Sequence, residues 1–90
     1  MVTIKSDQEV ELMREAGLIL AKVHKELESI VRPGISTLDI DRACEKLIRG
    51  YHCIPSFKGY GGFPASACVS VNEEVVHGIP CKDRILQEGD

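Results

Sequence analysis

Two helix-start signals with a proline-glycine break between them constrain this chain more than any other feature. Ser6-Asp7-Gln8-Glu9 and Ser36-Thr37-Leu38-Asp39 each set a hydroxyl three residues ahead of a carboxylate. That spacing lets the hydroxyl accept from an early helical N–H while the carboxylate reaches back to the cap. Behind the first signal, Val10, Met13, Ala16, Leu20, Val23, Leu27 and Ile30 recur at three- and four-residue steps, one apolar stripe of a helix over about 7–31. Pro33-Gly34 closes it, because proline cannot continue a helix and glycine accepts the turn. Behind the second, Ile40, Ala43, Cys44, Leu47, Ile48 and Tyr51 form the buried face of a helix over about 37–49, with Ile35 and Ile40 as a hydrophobic staple. The two helices are expected to pack as a pair. Cys44 is read as a small core hydrophobe, and His24, beside the first stripe, as structural or solvent-facing.

After Gly50 the period falls from 3.6 to 2. Ala67-Cys68-Val69-Ser70-Val71 alternates as a strand, with Cys68 and Ser70 on one side and Val69 and Val71 on the other. Asn72-Glu73-Glu74 is a turn signal, and Val75-Val76-His77 is a second candidate strand. Cys53-Ile54-Pro55-Ser56 suits a sheet edge or end, where proline is tolerated, and residues 1–5 are a possible edge strand. The fold class is therefore α/β (α+β), two helices followed by short antiparallel strands. Leu86-Gln87-Glu88-Gly89-Asp90 reads as the turn before a further strand, so the 90 residues are expected to be one partial domain and a fragment of a longer chain.

Composition narrows the partners. At 43% hydrophobic and 28% charged, the chain resembles a soluble globular protein, with no apolar run of membrane-spanning length. A net charge of −3 argues against nucleic acid as the main partner, because phosphate binding needs a basic face. The N-terminal segment is acidic and amphipathic, unlike a secretory signal. Cys44, Cys53, Cys68 and Cys81 are accordingly expected to be free thiols in a reducing cytosol.

The candidate site lies in Pro55–Pro80. Phe57, Tyr60 and Phe63 are spaced by three with Gly59, Gly61 and Gly62 among them, so the backbone turns tightly while the rings converge. Together with His77, held before Gly78-Ile79-Pro80, they could wall a small apolar ligand site. The plainer alternatives are rings capping the core over the helices, and a buried histidine satisfied by a carbonyl. A zinc site from Cys68, His77 and Cys81 lacks a C-x₂-C pair, and a Cys68–His77 nucleophile and base lacks an orienting third group. The acidic helix residues and Glu73-Glu74 are read as solvated charges.

The run GISTLDIDRACEKLI followed by PSFKGYGGFPASACVSVNEEVVHGIP resembles the N-terminal part of the bacterial type I methionine aminopeptidases. The similarity spans essentially all 90 residues. Its most specific element is Ser70-Val71-Asn72-Glu73 leading to His77-Gly78-Ile79-Pro80. The resemblance implies the N-terminal portion of the pita-bread fold, two similar halves with a metal pair between them. It implies a metal-dependent aminopeptidase that removes the initiator methionine of nascent polypeptides. His77 matches the histidine that contacts substrate near the scissile amide; Tyr60, Phe63 and Cys68 match the methionine pocket, and Phe57 a pocket position where some members carry cysteine. Two divalent ions of the Co, Mn, Fe, Zn or Ni class are implied, held by two aspartates, a histidine and two glutamates that would all lie beyond Asp90. The 90 residues alone are then expected to be inactive. A cytoplasmic, monomeric enzyme with transient ribosome proximity completes the implied picture. A non-catalytic relative of the same fold and a small peptide-binding module are the alternatives.

Overall fold

The computed structural model describes residues 2–90. Helix α1 spans Asp7–Glu28, and helix α2 spans Thr37–Gly50. Both start where the capping boxes put them. Ser6 Oγ accepts from the Glu9 N–H at 3.2 Å while the Ser6 N–H donates to Glu9 Oε1 at 2.8 Å. Ser36 and Asp39 repeat the exchange at 3.0 Å in both directions. These backbone donors hold the Glu9 and Asp39 carboxyls below their ordinary range.

The start of α2 also uses the far end of the chain. The Thr37 N–H donates to the Arg84 carbonyl at 3.0 Å, and the Leu38 N–H to the Cys81 carbonyl at 3.3 Å. With the Asp39 N–H bound to Ser36 Oγ and the Ser36 N–H to the Asp39 carboxylate, all four N–H groups that this helix start leaves unpaired, those of residues 36–39, have partners. Thr37 is 1% exposed, and its hydroxyl both accepts from the Cys81 N–H at 2.8 Å and donates to the Cys81 carbonyl at 3.1 Å. Ile35 and Leu86 join through a 2.8 Å main-chain bond, beside an antiparallel bridge between Ser36 and Ile85.

The core is small and sits where these pieces meet. Ile40, Val71 and Leu86 form its buried centre, with Leu27, Ile35 and Val69 packed against them. The expected face of α2 is confirmed, with Ile40 and Cys44 buried and Ala43, Leu47, Ile48 and Tyr51 half-buried. Burial and the nearby Asp41 carboxylate push the Cys44 thiol pKa up, as suits a packing residue. The stripe of α1 is covered only towards its C-terminal end. Val23 is fully enclosed, whereas Val10, Met13 and Leu20 are 45–57% exposed. At that end the Tyr51 hydroxyl donates to the Glu26 carboxylate, tying the two helices and raising the phenol's pKa.

Two expectations need correction. Helix α1 stops at Glu28, short of residue 31, because Ser29 caps it and the Ile30 and Val31 N–H groups both turn back to the Leu27 carbonyl. Gly34, at φ +97°, then reverses the chain. The second correction concerns the strands, none of which forms a ladder among the described residues. Segment 67–71 keeps its alternation, with Val69 and Val71 on the core and Cys68 and Ser70 on the opposite side. Its pairing with 75–78 is reduced to one main-chain bond, Val69 N–H to the Gly78 carbonyl at 2.9 Å. The Gly78 N–H goes instead to Ser70 Oγ at 3.1 Å, and Asn72 and His77 adopt positive φ. A ladder needs repeated carbonyl pairing between extended residues, and these features interrupt it. Residues 53–56 make no ladder either. Residues 2–5 are exposed without forming the suggested edge strand, and Met1 lies outside the described residues.

Candidate substrate cleft

The aromatic loop is a self-bonded unit. The Tyr60 N–H donates to the Phe57 carbonyl at 3.0 Å, the Phe63 N–H to the Tyr60 carbonyl at 3.0 Å, and the Gly59 N–H to the Phe63 carbonyl at 2.8 Å. Gly59 sits at φ +82°, which a side chain would strain, and a short 3-10 turn follows over Tyr60–Gly62. The Phe57 and Phe63 rings meet edge to face, with centroids 6.4 Å apart and planes at 77°. That arrangement suits the quadrupoles of the two rings.

Phe57, Tyr60, Phe63, Cys68 and His77 all line one open cleft of about 770 Å³. Val75, Val76 and Ile79 add apolar surface to it. Phe57 is 52% and Tyr60 80% exposed, so the rings wall a cleft instead of capping the core. Ser70, which bonds the Gly78 N–H, also faces the cleft.

His77 is exposed, not the buried, carbonyl-satisfied histidine that was the plainer alternative. Its backbone lies in the left-handed region at φ +56°, a sparsely populated conformation for a residue with a side chain. Gly78 holds it there through close approach. A Cβ at position 78 would stand 2.1 Å from the Val69 carbonyl oxygen, so the two segments cross at a point where no side chain fits.

Sequence reasoning missed the carboxylates that hold the loop. Asp41, read as a solvated helix charge, is 6% exposed. Its Oδ1 accepts from the Ser66 N–H at 2.8 Å and the Ala67 N–H at 2.9 Å. Glu45, one turn on, accepts from Lys58 Nζ at 2.6 Å, Ser66 Oγ at 3.1 Å and Arg49 Nε at 3.0 Å. Lys58 and Arg49 draw the Glu45 carboxyl down to about 2. The available signal was position: Asp41 and Glu45 flank Cys44 on the face of α2 that turns inward. Glu74 is likewise a structural group, accepting from the Val71 N–H at 3.0 Å to close the turn.

All four cysteines are free. Among the described residues, no three His, Cys, Asp or Glu side chains gather as a metal-binding group, so Cys68, His77 and Cys81 form no such site. No helix among them is long and apolar enough to cross a membrane.

Residues 11–90 match metallopeptidase family M24, and the chain belongs to that family. It is 57% identical over 90 residues to a methionine aminopeptidase of Clostridium acetobutylicum, and 52% identical to methionine aminopeptidase 1 of Bacillus subtilis. In both cases it spans 36% of the relative's length. Among solved structures, a methionine aminopeptidase from Thermotoga maritima matches all of this chain with a TM-score of 0.94 at 40% identity. One from Rickettsia prowazekii matches with a TM-score of 0.93 at 34% identity, and the chain again covers 36% of either structure. The fold is the N-terminal portion of the pita-bread architecture. Family membership carries metal dependence, but the described residues provide no donor set that fits a divalent ion.

Proposed function

We propose that this chain is the substrate-recognition part of a methionine aminopeptidase that removes the initiator methionine of nascent proteins. The observation that carries the reading is the convergence of Phe57, Tyr60, Phe63, Cys68 and His77 on one apolar cleft. A thioether gains from aromatic edges, and the edge-to-face rings of Phe57 and Phe63 offer them. Methionine's flexible side chain lies among these rings and Cys68. In this reading the scissile amide lies beside His77, which lines the same cleft, and the imidazole contacts it and steadies the reacting centre.

Two divalent ions of the Co, Mn, Fe, Zn or Ni class would supply the activation of water, and the ligands that the family resemblance implies, two aspartates, a histidine and two glutamates, would lie outside these 90 residues. The residues described above bind and orient; they do not activate water. In this reading the complete protein is a cytoplasmic monomer that meets its substrates near the ribosome, and the 90 residues alone are inactive.

The test is methionine release from a Met-Gly peptide with added Mn²⁺, run on the 90-residue chain and on the full-length protein. Release by the full-length protein only is the expected result. Release by neither overturns the aminopeptidase reading in favour of a non-catalytic relative. Release by the short chain overturns the assignment of the metals to residues outside it.

A further inference from the structure

We propose that Glu45 and Asp41 of α2 are positioning residues that set the aromatic wall of the cleft, and so its affinity for the substrate side chain. The inference rests on the reading of that cleft as the methionine pocket. Neither carboxylate lines the cleft. Both act through the loop that does.

The loop bearing Tyr60 and Phe63, with Phe57 just before it packed on the Phe63 ring, leaves and rejoins the body of the protein at two stems. Lys58 lies at the first and Ser66 at the second, and Glu45 Oε1 accepts from both, at 2.6 and 3.1 Å. One carboxylate oxygen therefore clasps the loop shut. Asp41 Oδ1 adds two main-chain donors from Ser66 and Ala67, immediately before Cys68 in the cleft wall. Charge-assisted bonds of this kind are stronger and more directional than neutral ones.

The loop's remaining bonds run within itself, so its shape depends on its two stems being held together. Ala65 and Ser66 are buried at the second stem, whereas Phe57 and Tyr60 are exposed. The loop is thus anchored at its buried stem. Its closure and its tilt towards Val76 and His77 are set by the grip of α2, and α2 is itself fixed by the Thr37–Cys81 exchange. Releasing Glu45 lets the stems part, which opens the bonds from the Gly59 and Phe63 N–H groups and displaces the rings while their side chains stay intact.

The experiment uses the full-length protein with Glu45→Ala, Glu45→Gln and Lys58→Ala. Lys58 is a surface residue, so its replacement leaves folding undisturbed if Glu45→Ala does not. KM for a Met-Gly peptide with Mn²⁺ should rise about fivefold or more in Glu45→Ala and Lys58→Ala, with kcat within about twofold, because a binding wall acts on ground and transition states alike. Glu45→Gln, which keeps an acceptor for Ser66, should recover part of the loss. Amide exchange at Gly59 and Phe63 should quicken about tenfold in the same variants while exchange in α1 stays unchanged. Both KM and exchange must move; either one at its wild-type value overturns the proposal, as does a fall in melting temperature with both unchanged. If the wild type releases no methionine, the reading of the cleft fails, and the exchange at Gly59 and Phe63 decides the anchoring by itself.

Discussion

Replacing Gly78 with alanine puts a Cβ 2.1 Å from the Val69 carbonyl oxygen, 2.7 Å from its carbon and 2.9 Å from the Ser70 Cα. All three atoms are backbone, so no flexible side chain can yield. Gly78 is not among the positive-φ glycines, so the cost is steric and not conformational. Relief requires the 67–71 and 75–78 segments to separate by about 1 Å, which is overpacking worth about 1–3 kcal/mol. Separation also breaks the 2.9 Å bond from the Val69 N–H to the Gly78 carbonyl, worth about 1 kcal/mol. The sum of about 2–4 kcal/mol is a large fraction of a typical domain stability of about 5–15 kcal/mol. Thermal unfolding of the full-length protein, followed by circular dichroism, should show a melting point lower by about 5–15 °C. Gly59→Ala is the contrasting control: at φ +82° with nothing within 4 Å, it meets backbone strain but no clash, and should cost about 1 kcal/mol. A Gly78→Ala protein melting within about 1 °C of wild type would refute the claim that the two segments cross too closely for a side chain.

Three further outcomes follow for the full-length protein from the proposed aminopeptidase reading and the proposed anchoring of the loop. His77→Ala should lower kcat roughly 100-fold with a much smaller change in KM, since the contact proposed for it would strengthen in the transition state; steady-state kinetics in which KM alone moves would remove His77 from that role. Phe63→Ala deletes one ring of the edge-to-face pair and should narrow the preference for methionine over other N-terminal residues about tenfold, read by competing peptides; an unchanged ratio would show that the ring does not select. The Glu45 carboxyl is lowered from an ordinary 4.5 to about 2, chiefly by Lys58 and then by Arg49. Its contribution is complete above pH 4.5 and is lost as pH falls towards about 2. Protection of the Gly59 and Phe63 amides, measured against their intrinsic exchange at each pH, should therefore fall over that window in wild type but not in Glu45→Ala, and equal acid sensitivity in both would contradict it.

What was legible in the sequence was local. Both capping boxes, the apolar face of α2 and the alternation of Cys68 and Ser70 against Val69 and Val71 follow from spacings of two to four residues, and the structure keeps them all. The convergence of three rings was also readable, because glycine between aromatics leaves a short loop few other shapes. The metal dependence came from family likeness and not from any residue in this stretch.

Tertiary structure decided the rest, because its causes lie far apart in the chain. Thr37 and Cys81 are 44 residues apart, and nothing near either foretells that one hydroxyl will serve both polar groups of the other. Asp41 meets Ser66 across 25 residues; a carboxylate is solvated or buried according to whether backbone donors arrive to replace water, and only the folded chain brings them. The expected ladder between 67–71 and 75–77 failed for the same kind of reason. Period-2 alternation specifies which way side chains point, whereas pairing depends on where the neighbouring N–H groups find acceptors, and Gly78 found Ser70 Oγ. Alternation and capping are properties of consecutive residues; closure of the cleft is a property of the chain brought back on itself.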